Sequence, residues 1–142
     1  IQLGDMVMYA YDPKLKATLP YYDRFPLAIV IDVRKDGFDA LNLHYLRPDI
    51  RAAFLDELLK LGPSEPTEKS RLTKLRYNLI KGSTKFKEFK PCYKRYLSEH
   101  VKSSMARVPM TDWEIAIFLP TEQFKKAGLG KVFSDSISIA KG

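Results

Sequence analysis

His44 is the residue from which base chemistry could start. It lies in Asn-Leu-His-Tyr-Leu, residues 42–46, directly after an apolar stretch. A neutral imidazole can take up a proton near pH 7. A hydrolase also needs a hydroxyl or thiol beside that base, or two carboxylates at one place. The neighbours of His44 in the chain supply no activated nucleophile, so a structural hydrogen-bonding role is expected. His100, beside Glu99, reads as a surface residue. Cys92 is the single cysteine. Its basic neighbours would favour a thiolate, yet its place between Pro91 and Tyr93 suits a half-buried structural thiol. One cysteine and two distant histidines do not make a zinc-site spacing. Asp32, Asp36 and Asp39 cluster around Gly37 and fit turn chemistry better than a metal-dependent nuclease. Glu65 and Glu68 fall in a linker. The seven glycines stand singly, with no phosphate loop, dinucleotide fingerprint or Gly-x-Ser-x-Gly elbow. The expectation is a protein with no catalytic residues, no metal and no cofactor.

The charge distribution points elsewhere. Residues 69–107 carry twelve Lys and Arg against Glu88 and Glu99, a net +10, while the remainder is −3. A region so one-sided attracts nucleic acid, acidic protein or anionic lipid. Aromatic residues are interleaved with the bases: Tyr77, Phe86, Phe89, Tyr93 and Tyr96. Bases neutralise phosphates and release counterions, and aromatic rings stack on exposed nucleotides. The candidate DNA contacts are Arg71, Lys74, Arg76, Lys81, Lys85, Lys87, Lys90, Lys94 and Arg95, with Phe86 and Tyr93 as stacking residues. Phe86, Phe89 and Tyr96 are also good core candidates. No zinc finger, helix-turn-helix or RNP-like motif suggests base-specific readout.

These residues need a scaffold. At 142 residues and 45% hydrophobic content the chain is the size of one ordinary domain. No run approaches the roughly 18 apolar residues of a membrane helix. Met6–Tyr11 and Leu27–Val33 read as strands. Asp36-Gly37 then signals a tight hairpin turn whose central positions favour positive φ, and Phe38–Leu43 reads as the returning strand with Phe38, Ala40 and Asn42 on one face. Pro48 and Asp49 suit a first helical turn, and Ile50, Phe54, Leu58 and Leu61 recur at helical spacing until Gly62-Pro63. A second helix is predicted from Thr67 with a Leu72, Leu75, Leu79 stripe, and a third from Pro91 carrying Tyr93, Tyr96, Leu97 and Val101. Ala106–Met110 reads as a strand. Trp113–Leu119 alternates like one, although Thr111 and Glu114 also match a helix capping box. Thr121–Ala127 reads as a short helix, and the tail from Val132 as weakly amphipathic.

Strands on both sides of a helical middle predict an α+β domain. The preferred architecture is one domain, 1–142: a small SH3-like β-barrel from 1–47 and 103–120, a helical insertion at 48–102, and short helices over 121–142. The start at Ile1 suggests part of a longer chain. Leu-Pro-Tyr-Tyr-Asp-Arg-Phe-Pro-Leu, residues 19–27, is expected to be a connecting loop stiffened by Pro20 and Pro26. Tyr21, Tyr22 and Phe25 would anchor it on the barrel, and Asp23 and Arg24 would pair or meet a neighbour.

Three stretches together resemble the DNA end protector (head completion) proteins of T4-like tailed phages. They are YDPKLKATLPYYDRFPL, DGFDALNLHYLRPDIRAAFLDEL and WEIAIFLPTEQF. The resemblance spans most of 4–139 and is strongest over 9–58. It departs at Arg47-Pro48, where the family pattern has Pro-Pro. It implies a non-catalytic minor virion protein, present in the host cytoplasm during assembly and after injection. Such a protein binds the ends of packaged double-stranded DNA, shields them from a host exonuclease, and is associated with head completion. Its partners would be double-stranded DNA ends and other virion proteins, with no membrane and no small-molecule substrate. The alternative is a neck, tail or baseplate module whose basic region meets an acidic protein surface.

Overall fold

The computed structural model describes residues 1–58, Thr73, Leu75, Tyr77, Asn78 and 89–142. β-Branched Leu27–Val33 forms β3, and Gly37–Asn42 forms β4 antiparallel to it, as the sequence predicts. The link between them is not the expected two-residue turn. Arg34, Lys35 and Asp36 connect the strands, closed by an Arg34 N–H bond to the Gly37 carbonyl at 2.8 Å. Gly37 has no positive φ. It is required for space, because a Cβ there would stand 1.9 Å from the Tyr96 carbonyl oxygen.

β1 (Met6–Met8) pairs with the other side of β3, β6 (Ala106–Arg107) pairs with β1, and β5 (Tyr93–Leu97) pairs with β4. The sheet is antiparallel and open, in the order β5-β4-β3-β1-β6. The mixed helix-and-sheet class is therefore as expected, but the closed SH3-like barrel does not form. β5 and β6 stand at opposite edges, and β6 is only two residues long, so the edges do not meet. β2 (Tyr22–Asp23) and β7 (Phe124–Lys125) make a separate two-stranded ribbon.

Three other expectations change. Of the helix predicted from Pro91 and carrying Tyr93 to Val101, only Pro91 and Cys92 are helical; β5 follows, and then a 3-10 turn, Ser98–His100. Alternation decides it: Tyr96 opposes Phe38 on one face while Arg95 opposes Asp39 on the other. The strand predicted over Trp113–Leu119 is the short helix α3, Trp113–Ala116, entered through a 3-10 turn at Met110–Asp112. Trp113, Ala116 and Ile117 are buried at helical spacing, and Ile115, Phe118 and Leu119 are exposed. The helix predicted at Thr121–Ala127 contains β7 instead, and the tail forms α4, Leu129–Lys141.

Helix α1 spans Pro48–Leu58 from the predicted proline start, and the short helix α2 spans Phe89–Cys92. Of the Leu72, Leu75, Leu79 stripe, only Leu75 lies among the described residues, where it is helical and fully buried. The sheet is apolar on both faces. Met6, Leu27, Ile29 and Leu41 pack with Phe54, Leu55, Leu75, Trp113 and Ile117. Val7, Ala28, Val30, Phe38 and Ala40 pack on the other face with Tyr9, Tyr11 and Tyr96. Tyr9 meets Phe38, Tyr11 and Tyr96 edge-on at centroid distances of 5.5, 6.2 and 5.4 Å, the favoured arrangement for ring quadrupoles.

Candidate nucleic-acid interface

A β-bulge at the end of β3 brings two arginines and two aspartates together. The register passes from Val30↔Ala40 to Asp32↔Asp39, leaving Ile31 as the extra residue. Asp32 and Asp39 thereby face each other across the ladder, and Arg34 lies beside both. Arg34 donates to Asp39 Oδ2 from Nε at 3.1 Å and from Nη2 at 2.6 Å. Its Nη2 also lies 3.8 Å from Asp32. From β5, the Tyr93 hydroxyl donates to the same Oδ2 at 2.7 Å, and Arg95 Nε donates to Oδ1 at 3.2 Å. Asp39 is covered by the groups it holds, being only 1% exposed. Burial opposes its charge, but the bonds from Arg34, Tyr93 and Arg95 win and hold the carboxyl below its ordinary value. The hydrogen bond to Asp39, with burial adding to it, raises the Tyr93 phenol. Arg34, Arg95 and the Tyr93 ring each keep a substantial exposed surface.

Of the residues predicted to contact DNA, Arg95 and Tyr93 come together in this cluster. Lys90 is exposed on α2. Lys94 points to the opposite face, half-buried, with its ammonium 4.0 Å from the centre of the Tyr45 ring. Loss of hydration lowers the Lys94 pKa. Arg71, Lys74, Arg76, Lys81, Lys85, Phe86 and Lys87 lie outside the described residues. The sequence reading missed Arg34, which it took as part of a turn. The signal was present: an Arg within a hairpin loop reaches back over its own strands. Cys92 is wholly buried, and burial pushes its thiol up to about 12, the reverse of an activated nucleophile.

A second, interior network joins distant parts of the chain. His44 Nδ1 lies 2.6 Å from Asp23 Oδ2, and its Nε2 lies 2.9 Å from the Thr121 hydroxyl. Asn42 Nδ2 donates to Asp23 Oδ2 and to the Tyr96 hydroxyl, both at 3.1 Å. Asp23 Oδ1 accepts from the Phe25 and Gln123 N–H groups. Burial works against the Asp23 charge, but the His44 bond and the other donors prevail and lower its pKa. Beside it, fully buried Arg51 donates to the carbonyls of Leu43 and Leu46 at 2.7 Å and of Ile117 at 2.8 Å, and pairs with Glu122. Thr121, His44 and Asp23 have the connectivity of a hydrolase triad, which the local sequence did not reveal. The imidazole is fully buried with both nitrogens engaged, so the arrangement serves to pin three segments together.

A protein-family model, the phage T4 terminal DNA protecting protein, matches residues 1–139. The chain belongs to that family. No curated protein and no solved structure is significantly similar to it. The three stretches that carry the family resemblance supply the parts of the interior network: Asp23 from the first, Asn42, His44 and Arg51 from the second, Ile117, Thr121 and Glu122 from the third. Asp23 thus pairs with His44, not with Arg24, which is exposed. Tyr21 packs against Tyr45 and Phe124 and donates to Asp135 on α4 at 3.1 Å. In this family member the 19–27 segment contains β2 and is held by its acid and its aromatic rings. It carries architecture, while the basic cluster lies on the β3–β4–β5 end of the sheet.

Proposed function

We propose that this chain is a phage virion protein that binds the ends of packaged double-stranded DNA, shields them from host exonuclease and takes part in head completion. The family match over 1–139 carries this reading. The net +10 of residues 69–107 and the gathering of Arg34 and Arg95 on the Asp39 carboxylate support it. Phosphate contacts are assigned to Arg71, Lys74, Arg76, Lys81, Lys85, Lys87, Lys90 and Arg95, with Tyr93 or Phe86 against a terminal base pair. Lys94 is a weaker member of the set, since its ammonium already lies against Tyr45. The protein has no catalytic role in this reading, and the neighbours it meets are other virion proteins.

A gel-shift comparison of blunt linear with covalently closed circular DNA tests it. Preferential binding to the linear form is expected. Replacing three or four of the assigned bases lowers the salt dependence by about one unit of slope per lost phosphate contact. Equal binding to both forms, or an unchanged slope, overturns it. The second reading is a neck, tail or baseplate module that touches only protein. Exposed Ile115, Phe118 and Leu119 at the end of α3 favour it, at 62, 56 and 48% exposure. Absence of DNA binding at low salt would select it.

A further inference from the structure

We propose that Arg34 and Arg95, set side by side by Asp39, receive the terminal phosphomonoester of a DNA strand, with the Tyr93 ring beside it. This rests on the DNA-end reading and specifies which group at the end is held. Two guanidiniums, one in the β3–β4 connection and one on β5, would ordinarily repel each other and sample many rotamers. Here one carboxylate takes Arg34 through two nitrogens and Arg95 through one. The ordering entropy that a ligand would otherwise have to overcome is therefore already spent in folding. The Arg34 and Arg95 side chains are 37% and 58% exposed. A guanidinium fork matches phosphate oxygens bidentately.

The convergence selects the kind of phosphate. A series of bases spread along a surface would follow successive phosphodiesters. Two guanidiniums sharing one carboxylate meet a single anion. A terminal monoester has three free oxygens and up to two charges, and an internal diester has two and one. Tyr93 and Arg95 are two residues apart on β5 and share a face. The ring, 45% exposed and tethered through its hydroxyl, offers a flat surface to the adjoining sugar or base. Asp32 is the competing group. Its contact with Arg34 is 3.8 Å and its side chain is 59% exposed, so solvent screens the pair and the carboxylate can yield.

The test uses a trinucleotide with a 5′-phosphate and the same trinucleotide with a 5′-hydroxyl, titrated into protein labelled for NMR of arginine Nε–Hε groups. The expected result is binding about tenfold tighter for the phosphorylated form, with shifts at Arg34 and Arg95. Arg95→Ala and Arg34→Ala remove the preference, each checked for folding by its melting curve. Asp32→Asn strengthens binding several-fold, an effect that a purely structural ion pair would not give. Equal affinity for the two trinucleotides overturns the proposal, as does a preference that survives Arg95→Ala. Blunt duplexes with and without terminal phosphate separate the two readings. Preference for linear DNA without regard to the phosphate leaves the end-binding function standing and removes this site. Trinucleotide discrimination without any preference for linear DNA does the reverse.

Discussion

Replacing Arg51 by methionine leaves a hole in the charge balance of the interior that methionine cannot fill. The guanidinium is fully buried and serves the carbonyls of Leu43, Leu46 and Ile117 together with the Glu122 carboxylate, itself 5% exposed. Leu43 keeps a second donor, the Leu46 N–H at 3.1 Å, so its carbonyl loses least. Stranding a buried carboxylate by removing its partner costs about 3–5 kcal/mol, and each deprived carbonyl adds about 1 kcal/mol. Methionine recovers part of this by packing, which leaves a net loss of about 4 kcal/mol. For a chain of this size that is a fall of about 12 °C in melting temperature. Glu122→Gln keeps an acceptor and removes only the charge, so its loss is smaller, about 1–2 kcal/mol. The double variant Arg51→Met, Glu122→Gln falls short of the sum of the single losses, because the stranded carboxylate is gone. Thermal and urea unfolding by circular dichroism measure all three. A shift below 3 °C for Arg51→Met, with an unchanged transition slope, would refute the idea that this side chain joins α1 to the Ile117–Glu122 segment.

Acid should loosen the fold. Asp23 and Asp39 both have folded-state pKa values below their ordinary 3.8. Their contribution is therefore complete above about pH 4 and is lost as pH falls through the lowered values. The urea midpoint is expected to drop as the pH falls below about 4, and Asp39→Asn to flatten that drop; an unaltered pH profile in the variant would contradict the role given to Asp39. Gly37→Ala drives a methyl group into the Tyr96 backbone at 1.9 Å, so a loss of about 1–3 kcal/mol is expected, and a neutral result in urea titration would place β5 elsewhere. Cys92, with its thiol at about 12, should resist a thiol-specific disulfide reagent at pH 8 until denaturant is added; rapid labelling of the native protein would show that the site is open.

Local order in the chain was readable where local chemistry decides it. Leu27–Val33 is a nearly continuous apolar run rich in β-branched residues, Asp36-Gly37 marks the turn after it, and Pro48 with Asp49 marks the start of α1. Tyr93–Leu97 gave no such signal. Its alternation becomes visible only against β4, where Phe38 and Asp39 select opposite faces for Tyr96 and Arg95. Trp113–Leu119 is apolar at nearly every position, so periods of 2 and 3.6 fit it equally, and burial of Trp113 and Ile117 settles the matter. The barrel was inferred from strands on both sides of a helical middle, an order that does not say which edges meet. The pairing of Arg34 with Arg95 depends on a bulge at Ile31, and a bulge leaves no mark in a run of β-branched residues. His44 looked isolated because Thr121 lies 77 residues away.

The same long separation has a consequence during synthesis. A ribosome releases Arg51 well before Glu122, 71 residues later, and His44 long before Thr121. Until then the nascent chain holds a guanidinium and an imidazole whose place is in the interior, with their partners still untranslated. β1, near the start, has likewise to wait for β6 at Ala106–Arg107. Maturation is thus gated by arrival of the third motif stretch, and a product that stops before Thr121 should persist as an open, protease-sensitive intermediate.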